Sequence, residues 1–71
     1  MNKSVYKNIY GKRSQKNYTQ EYMAAQLSMT QTHYSKIERS VIDISVYKLI
    51  EIGKILNIDP TDFFLTQKTS F

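Results

Sequence analysis

The sequence contains no cysteine, only two glycines and only one proline. Without cysteine the chain cannot form a disulfide, a thiolate zinc site or an iron–sulfur cluster, and it has no cysteine nucleophile. The few glycines and the single proline leave too little turn material for an all-β sandwich, which needs a turn signal every ~8–12 residues. The 71 residues are also too few for two domains. We therefore expect one all-α domain over residues 1–71, held together by its apolar core alone.

Long apolar segments are also missing. No apolar run approaches the ~20 residues that cross a bilayer, and nothing resembles the apolar segment of a secretory signal. The only histidine, His33, has no evident partner for metal binding or acid–base catalysis, and no Ser/His/Asp, paired-carboxylate or phosphate-loop spacing occurs. We therefore expect a cytoplasmic protein that is not an enzyme and has no cofactor, no metal, no small-molecule ligand and no membrane partner.

The positive charge is concentrated at one end of the chain. Residues 1–20 carry five basic side chains and no acid, whereas residues 21–71 carry five bases and six acids. This distribution favours a polyanionic partner, although from charge alone a lysine cluster that only solubilises the surface has about equal weight.

Four residues with N-capping side chains mark helix starts. Thr19, Thr30, Ser45 and Asp59 each precede apolar residues at helical spacing, and Asp59 is followed by proline at the first helical position. A further helix precedes these four starts and contains Gly11, which costs about 1 kcal/mol relative to alanine. The sequence therefore predicts about five short helices. The last four cover residues 20–27, 31 to about 39, 46–56, and 60 to about 65.

The apolar residues of these helices predict the core. Met23, Ala24 and Leu27 mark the inner face of the second helix, and Tyr34 and Ile37 mark that of the third, where the tyrosine is assigned to the core rather than to stacking on a base. The fourth helix has more apolar residues than one core needs. Its repeat is Val46, Leu49, Ile50, Gly53 and Leu56, with Ile52 and Ile55 widening the apolar arc.

The second and third predicted helices have the features of a helix-turn-helix unit over residues 20–39. They are joined by about three residues, Ala24 is small enough for a close helix crossing, and Met29 supplies an apolar side chain in the turn. The outer face of the third helix is polar but hardly charged. Ser28 stands where the turn requires a left-handed backbone, which glycine adopts for about 1 kcal/mol less.

On these residues the chain resembles the Xre or Cro-like family of bacterial and phage repressors. The segments that carry the resemblance read TQEYMA, LSMT and HYSKIERS, and SVYKLIEIGKIL and NIDPTDFF look like the family's fourth and fifth helices. The resemblance covers about residues 5–65 and departs at Lys12, where an apolar residue is commoner, and at Ser28 and Ser40, where glycine is usual. It implies a lambda-repressor-like bundle whose C-terminal helices cover about residues 45–65.

The resemblance also implies roles for individual residues. The third helix of such repressors lies in the major groove of DNA, and the side chains expected to read bases are Gln31, Thr32, Ser35 and Lys36. In that family the residue at the position of Gln20 binds a phosphate and supports the first base-reading side chain, here Gln31. Arg13 and Glu38 match a pair of residues expected to form an ion pair between the first and third helices. Contacts with the DNA backbone are expected from Gln20, Thr30, His33, Arg39, Lys12 and Lys16.

These features predict a sequence-specific regulator of transcription, a repressor, that binds double-stranded DNA. Because one recognition helix reads only a few base pairs, we expect a two-fold homodimer on an inverted-repeat operator. Ile50, Ile55 and Phe64 are assigned to the dimer interface, with Phe63 in the core. The alternative is a protein-binding adaptor or antitoxin-type module that uses the same fold.

Overall fold

A computed structural model describes residues 3–59. They form four helices, α1 (Lys3–Gln15), α2 (Gln20–Gln26), α3 (Gln31–Glu38) and α4 (Val46–Leu56), and within these residues the predicted all-helical fold is confirmed. The predicted fifth helix, with Pro60, Phe63 and Phe64, lies outside the described residues. None of the four helices is long and apolar enough to cross a membrane.

Three of the four predicted N-caps are confirmed. The side-chain oxygens of Thr19, Thr30 and Ser45 each accept a hydrogen bond from the backbone N–H three residues later, at 2.9 to 3.1 Å. Each bond satisfies one of the N–H groups that a helix start leaves without a carbonyl partner. The starts of α2, α3 and α4 are therefore determined by local sequence.

All four helices end in the same left-handed motif. Asn17, Ser28, Ser40 and Asn57 follow the helices with φ between 57° and 61°. In each case the N–H of the next residue bonds the carbonyl five residues earlier, as in the bond of 2.9 Å from Met29 to Ala24. The left-handed conformation predicted for Ser28 is confirmed, and neither glycine of the chain is used at these positions.

The core is formed by residues of all four helices. α2 packs mainly on α3, and α1 packs on both α3 and α4. The inner faces predicted for α2 and α3 are confirmed by the burial of their apolar residues. The core consists of Val5, Tyr6, Ile9, Met23, Ala24, Leu27, Tyr34, Ile37, Leu49, Ile52 and Leu56.

Only part of the apolar repeat predicted for α4 faces the core. Val46 is 56% exposed and Ile50 is half-buried outside the core, whereas Ile52 is fully buried. The apolar residues of α4 fit two overlapping helical repeats, and the one that contains Leu49, Ile52 and Leu56 faces the core. Both repeats satisfy the same spacing rule, so tertiary packing decides between them.

α1 continues without interruption through Gly11. A Cβ atom at this position would meet nothing within 4 Å, so packing does not require the glycine. Val5, Tyr6 and Ile9 bury one side of α1. The Tyr6 hydroxyl donates a hydrogen bond to Asp43 Oδ1, which ties the start of α1 to the loop between α3 and α4.

Candidate nucleic-acid interface

The outer face of α3 presents polar side chains on a rigidly held helix. Tyr34 and Ile37 are fully buried on its inner side. On the opposite side Thr32 and Lys36 are exposed and Ser35 is half-buried. Successive residues of a helix are rotated by ~100° about its axis, so Gln31 and His33 lie on the two sides of this face. Both side chains are exposed. The four predicted base-reading residues therefore lie together on accessible surface, with Gln31 at the first turn.

The start of α3 combines a cap with a free donor. The Thr30 side-chain oxygen accepts the His33 N–H at 3.1 Å. The Thr30 side chain is exposed, and a capping hydroxyl that accepts one bond still has its own hydrogen to donate. Capping α3 and donating to a phosphate are therefore compatible roles for Thr30.

Arg13 and Glu38 form an ion pair between α1 and α3. Arg13 Nε lies 2.6 Å from Glu38 Oε2, and Arg13 Nη2 lies 3.1 Å from Oε1. The side chains are 13% and 4% exposed, and Arg13 Nη1 donates to the Tyr18 carbonyl at 2.7 Å. Burial alone would raise the pKa of Glu38, but the hydrogen bonds from Arg13 and the other donors around it outweigh burial and lower that pKa. The pair fixes the end of α3 against α1.

Gln20, the first residue of α2, also belongs to this network. Its Nε2 donates to Glu38 Oε1 at 3.1 Å. Within residues 3–59 the Gln20 side chain makes this hydrogen bond and makes none to Gln31, the residue it is expected to brace. The described structure therefore directs the Gln20 amide toward the ion pair, with one amide hydrogen left for another acceptor.

A family model described as helix-turn-helix matches residues 9–63, which include α2, the turn and α3. The chain belongs to the Xre/Cro-like helix-turn-helix family. It is thus a DNA-binding helix-turn-helix protein in general terms. Comparisons with curated proteins and with solved structures find no match.

The positive charge of this helix-turn-helix protein does not form one patch. Lys3 and Lys7 lie on one side of α1, and Lys12 lies about 140° to 180° around the helix from them. Lys12 and Lys16 are exposed near the end of α1, and Arg39 is exposed after α3. Since Arg13 is neutralised by Glu38, the five N-terminal bases cannot all face one DNA duplex.

Two of the residues predicted for the dimer interface, Ile50 and Ile55, lie on different sides of α4. Ile50 and Ile55 are both half-buried, but five residues separate them, which is about 140° around α4. Ile55 packs against the core, while Ile50 lies on the side of Val46 and Tyr47, which are 56% and 85% exposed. Phe64, the third predicted interface residue, lies outside the described residues.

Some contacts of the helix-turn-helix protein have no signal in its sequence. Gln20 and Glu38 are separated by 18 residues, and Tyr6 and Asp43 by 37, so no helical spacing connects them. The Tyr34 hydroxyl is buried near Glu38, and burial together with this carboxylate raises the pKa of Tyr34. Within the same residues no group of three or more His, Cys, Asp or Glu side chains is arranged to hold a metal ion.

Proposed function

We propose that this helix-turn-helix protein is a sequence-specific repressor of transcription that reads the major groove of duplex DNA with α3. The observation that carries the proposal is the accessible polar face of α3. The opposite side of this helix is fixed by the burial of Tyr34 and Ile37 and by the ion pair of Glu38. A helix that reads bases must be held rigidly, since a loosely held side chain cannot discriminate between base edges.

Base reading is assigned to Gln31, Thr32, Ser35 and Lys36. A glutamine can engage adenine N6 and N7 together, a lysine can donate to guanine O6 and N7, and a threonine methyl can contact a thymine methyl. Each good bidentate pair contributes about 1 to 3 kcal/mol of discrimination. Ser35, which is half-buried, has the least freedom to reach a base.

Contacts with the DNA backbone are assigned to residues around this face. The N-terminus of α3 offers free N–H groups and the Thr30 hydroxyl to a phosphate, and Gln20 offers the amide hydrogen that Glu38 does not use. The remaining side chains in this group are exposed: Lys12, Lys16, His33 and Arg39.

Because the proposed partner is genomic DNA, we also propose that the protein works in the cytoplasm.

We further propose that the active form is a two-fold homodimer on an inverted-repeat operator. One α3 helix reads only a few base pairs, and a two-fold axis places two such helices about 34 Å apart on one side of the duplex. The side of α4 that carries Val46, Tyr47 and Ile50 is the best supported interface, because two of the three side chains are large, apolar and exposed.

The same exposed residues favour a second candidate function. A protein-binding adaptor or an antitoxin-type module would use Val46 and Tyr47 to bind a different protein rather than a second copy. A partner protein that covers this face, with no preference among DNA sequences, would favour this function over the repressor.

Selection from randomised duplexes of about 30 base pairs tests the proposed function. Enrichment of an inverted repeat, with affinity that falls as salt rises, is the expected result. Binding that enriches no sequence, or affinity independent of salt between about 50 and 200 mM, would contradict base reading and favour the protein-binding alternative.

A further inference from the structure

Arg39, the residue directly after α3, lies on the same side of the helix as the predicted base-reading residues. Because successive residues turn by ~100° about the helix axis, Arg39 is within about 20° of Thr32 and lies between the directions of Ser35 and Lys36. The Arg39 backbone N–H donates to the Ser35 carbonyl at 3.1 Å, as it would in a continuing helix. The polar face of α3 therefore extends to Arg39.

The backbone of Arg39 is fixed on both sides. Glu38, the residue before it, belongs to the buried ion pair with Arg13. Ser40, the residue after it, is left-handed with a φ of 61°, and the N–H that follows Ser40 bonds back to α3 at 2.9 Å. A side chain that reads bases must be carried by a fixed backbone, and Arg39 meets this condition.

The Arg39 guanidinium is not used within the described part of the protein. Its side chain is exposed, and among residues 3–59 it forms no ion pair and no hydrogen bond. Glu38, the neighbouring acid, is occupied by Arg13 and Gln20. The chain has two arginines, and Arg13 uses Nε, Nη1 and Nη2 inside the protein. Arg39 is therefore the arginine whose planar set of N–H donors is open to a ligand.

We propose that Arg39 reads a guanine in the major groove, through hydrogen bonds to O6 and N7. This inference rests on the proposed function, and it moves Arg39 from the backbone contacts to the base-reading residues. Residues along the middle of the reading face point toward the base edges, whereas phosphates line the walls of the groove. The planar guanidinium matches the two acceptors of guanine, and this pair is the commonest specific contact.

The length and charge of arginine also suit this position. The N-terminal residues of a recognition helix lie nearest to the base edges, so a reader at the other end of the helix needs a long side chain, which arginine has. The charge of Arg39 lies against the duplex in either role, so it contributes to the salt dependence of binding in both.

The spacing along α3 predicts where this guanine lies. At a rise of ~1.5 Å per residue, Arg39 is about 4.5 Å along the helix axis from Lys36 and about 12 Å from Gln31. One base pair occupies about 3.4 Å of a duplex. The guanine should therefore be next to the base pair that Lys36 reads, on the side away from the one that Gln31 reads.

Selection from randomised duplexes with Arg39 variants tests the inference. The wild type should require guanine at this position of each half-site, with a loss of affinity of about tenfold or more for any other base. Arg39→Ala should lose this preference and keep the others. Arg39→Gln should prefer adenine there, because a glutamine amide pairs with adenine N6 and N7.

A change in the DNA tests the same contact without altering the protein. A duplex with 7-deazaguanine at this position lacks the N7 acceptor. It should weaken binding by the wild type, measured by fluorescence anisotropy, and leave binding by Arg39→Ala unchanged.

Two variants at other basic residues are the matched controls. Lys36→Ala, on the same face of α3, should change the neighbouring base and keep the guanine of Arg39. Lys16→Ala, on α1, should change no base preference. Arg39→Lys keeps the charge but loses the planar guanidinium, so it should weaken the preference for guanine and leave the salt dependence of binding unchanged.

Two results would overturn the inference alone: Arg39→Ala that weakens all sequences about equally, as loss of a phosphate contact would, or wild-type affinity that 7-deazaguanine does not lower. If the wild type enriches no sequence, the proposed function fails and this inference fails with it.

Discussion

Arg13 has a different role from the one that its basic neighbours in the sequence suggest. It belongs to a basic segment, yet Nε, Nη1 and Nη2 all donate to groups within the protein. Its charge is therefore used to hold α1 against α3 and is not available to a phosphate. Removing one partner of a buried ion pair typically costs about 3 to 5 kcal/mol, so a substitution at Arg13 would report on folding rather than on DNA contact.

The ion pair should make the domain sensitive to acid. The lowered pKa of Glu38 means that its contribution to stability is present above the ordinary carboxyl pKa of 4.5 and is lost as the pH falls through the lower folded-state value. In Glu38→Gln this contribution is absent at every pH. Urea denaturation between about pH 3 and pH 7 should show a weaker pH dependence for the variant, with lower stability at neutral pH. Equal pH dependence in both proteins would contradict this role.

Residues that read bases and residues that bind phosphate should respond differently to alanine. Gln31→Ala should change the preferred base at one position of each half-site, whereas Lys16→Ala should weaken all sequences about equally. Selection from a randomised pool, repeated with each variant, distinguishes the two classes. If Gln31→Ala selects the same bases as the wild type, α3 does not read DNA through that side chain.

At the scale of the helices, starts and ends follow different rules. The starts use threonine and serine, the residues that cap best, whereas the ends place two serines and two asparagines in the left-handed region. Asparagine tolerates this region better than serine does. Ser28 and Ser40 are therefore the most strained ends.

Replacing Ser28 or Ser40 with glycine should stabilise the domain. Each change removes the cost of a left-handed side chain, which we expect to raise stability by about 1 kcal/mol. In a domain of this size that corresponds to a rise of about 4–8 °C in Tm. Thermal unfolding followed by circular dichroism measures the effect. Ser28→Ala is the control, since it keeps the Cβ atom; a gain equal to that of glycine would show that strain is not the cause.

Local sequence patterns predicted most of the fold and less of the site. Thr19, Thr30 and Ser45 marked the helix starts because a cap acts within three residues of itself. The sequence did not determine which side of α4 faces the core, because two helical repeats overlap in that helix. The hydrogen bond between Gln20 and Glu38 could not be predicted, because the packing of α2 against α3 brings these residues together.

At the scale of the whole molecule, the charge distribution should determine the salt dependence of binding. If Lys12, Lys16 and Arg39 each neutralise one phosphate, a dimer neutralises about six, and its affinity falls about 10³-fold between about 50 and 200 mM salt. Substituting Lys12 and Lys16 with glutamine should lower the slope by about 0.9 for each phosphate that is no longer neutralised. Substituting Lys3 and Lys7, on the other side of α1, is the matched control. An equal effect of the two pairs would contradict this orientation on DNA.

The dimer should depend on the exposed side of α4. Replacing Val46 and Tyr47 with serine should abolish self-association and reduce the affinity for the full inverted repeat to that for one half-site. Tyr22→Ser, at another exposed tyrosine, should change neither. Sedimentation of each protein with and without operator measures both effects, and Phe64→Ser tests the C-terminal part of the predicted interface. A wild-type monomer that binds one half-site as tightly as the full repeat would contradict the dimer.

The left-handed serines should also affect how long a molecule survives in the cell. A small domain has a modest free energy of unfolding, so about 1 kcal/mol at a helix end changes the unfolded fraction about fivefold. Intracellular proteases act on the unfolded fraction, and degradation follows its population when opening and closing are fast. We therefore expect Ser28 and Ser40 to shorten the lifetime of the protein. If it is a repressor, rapid turnover lets the genes it controls respond soon after its synthesis stops.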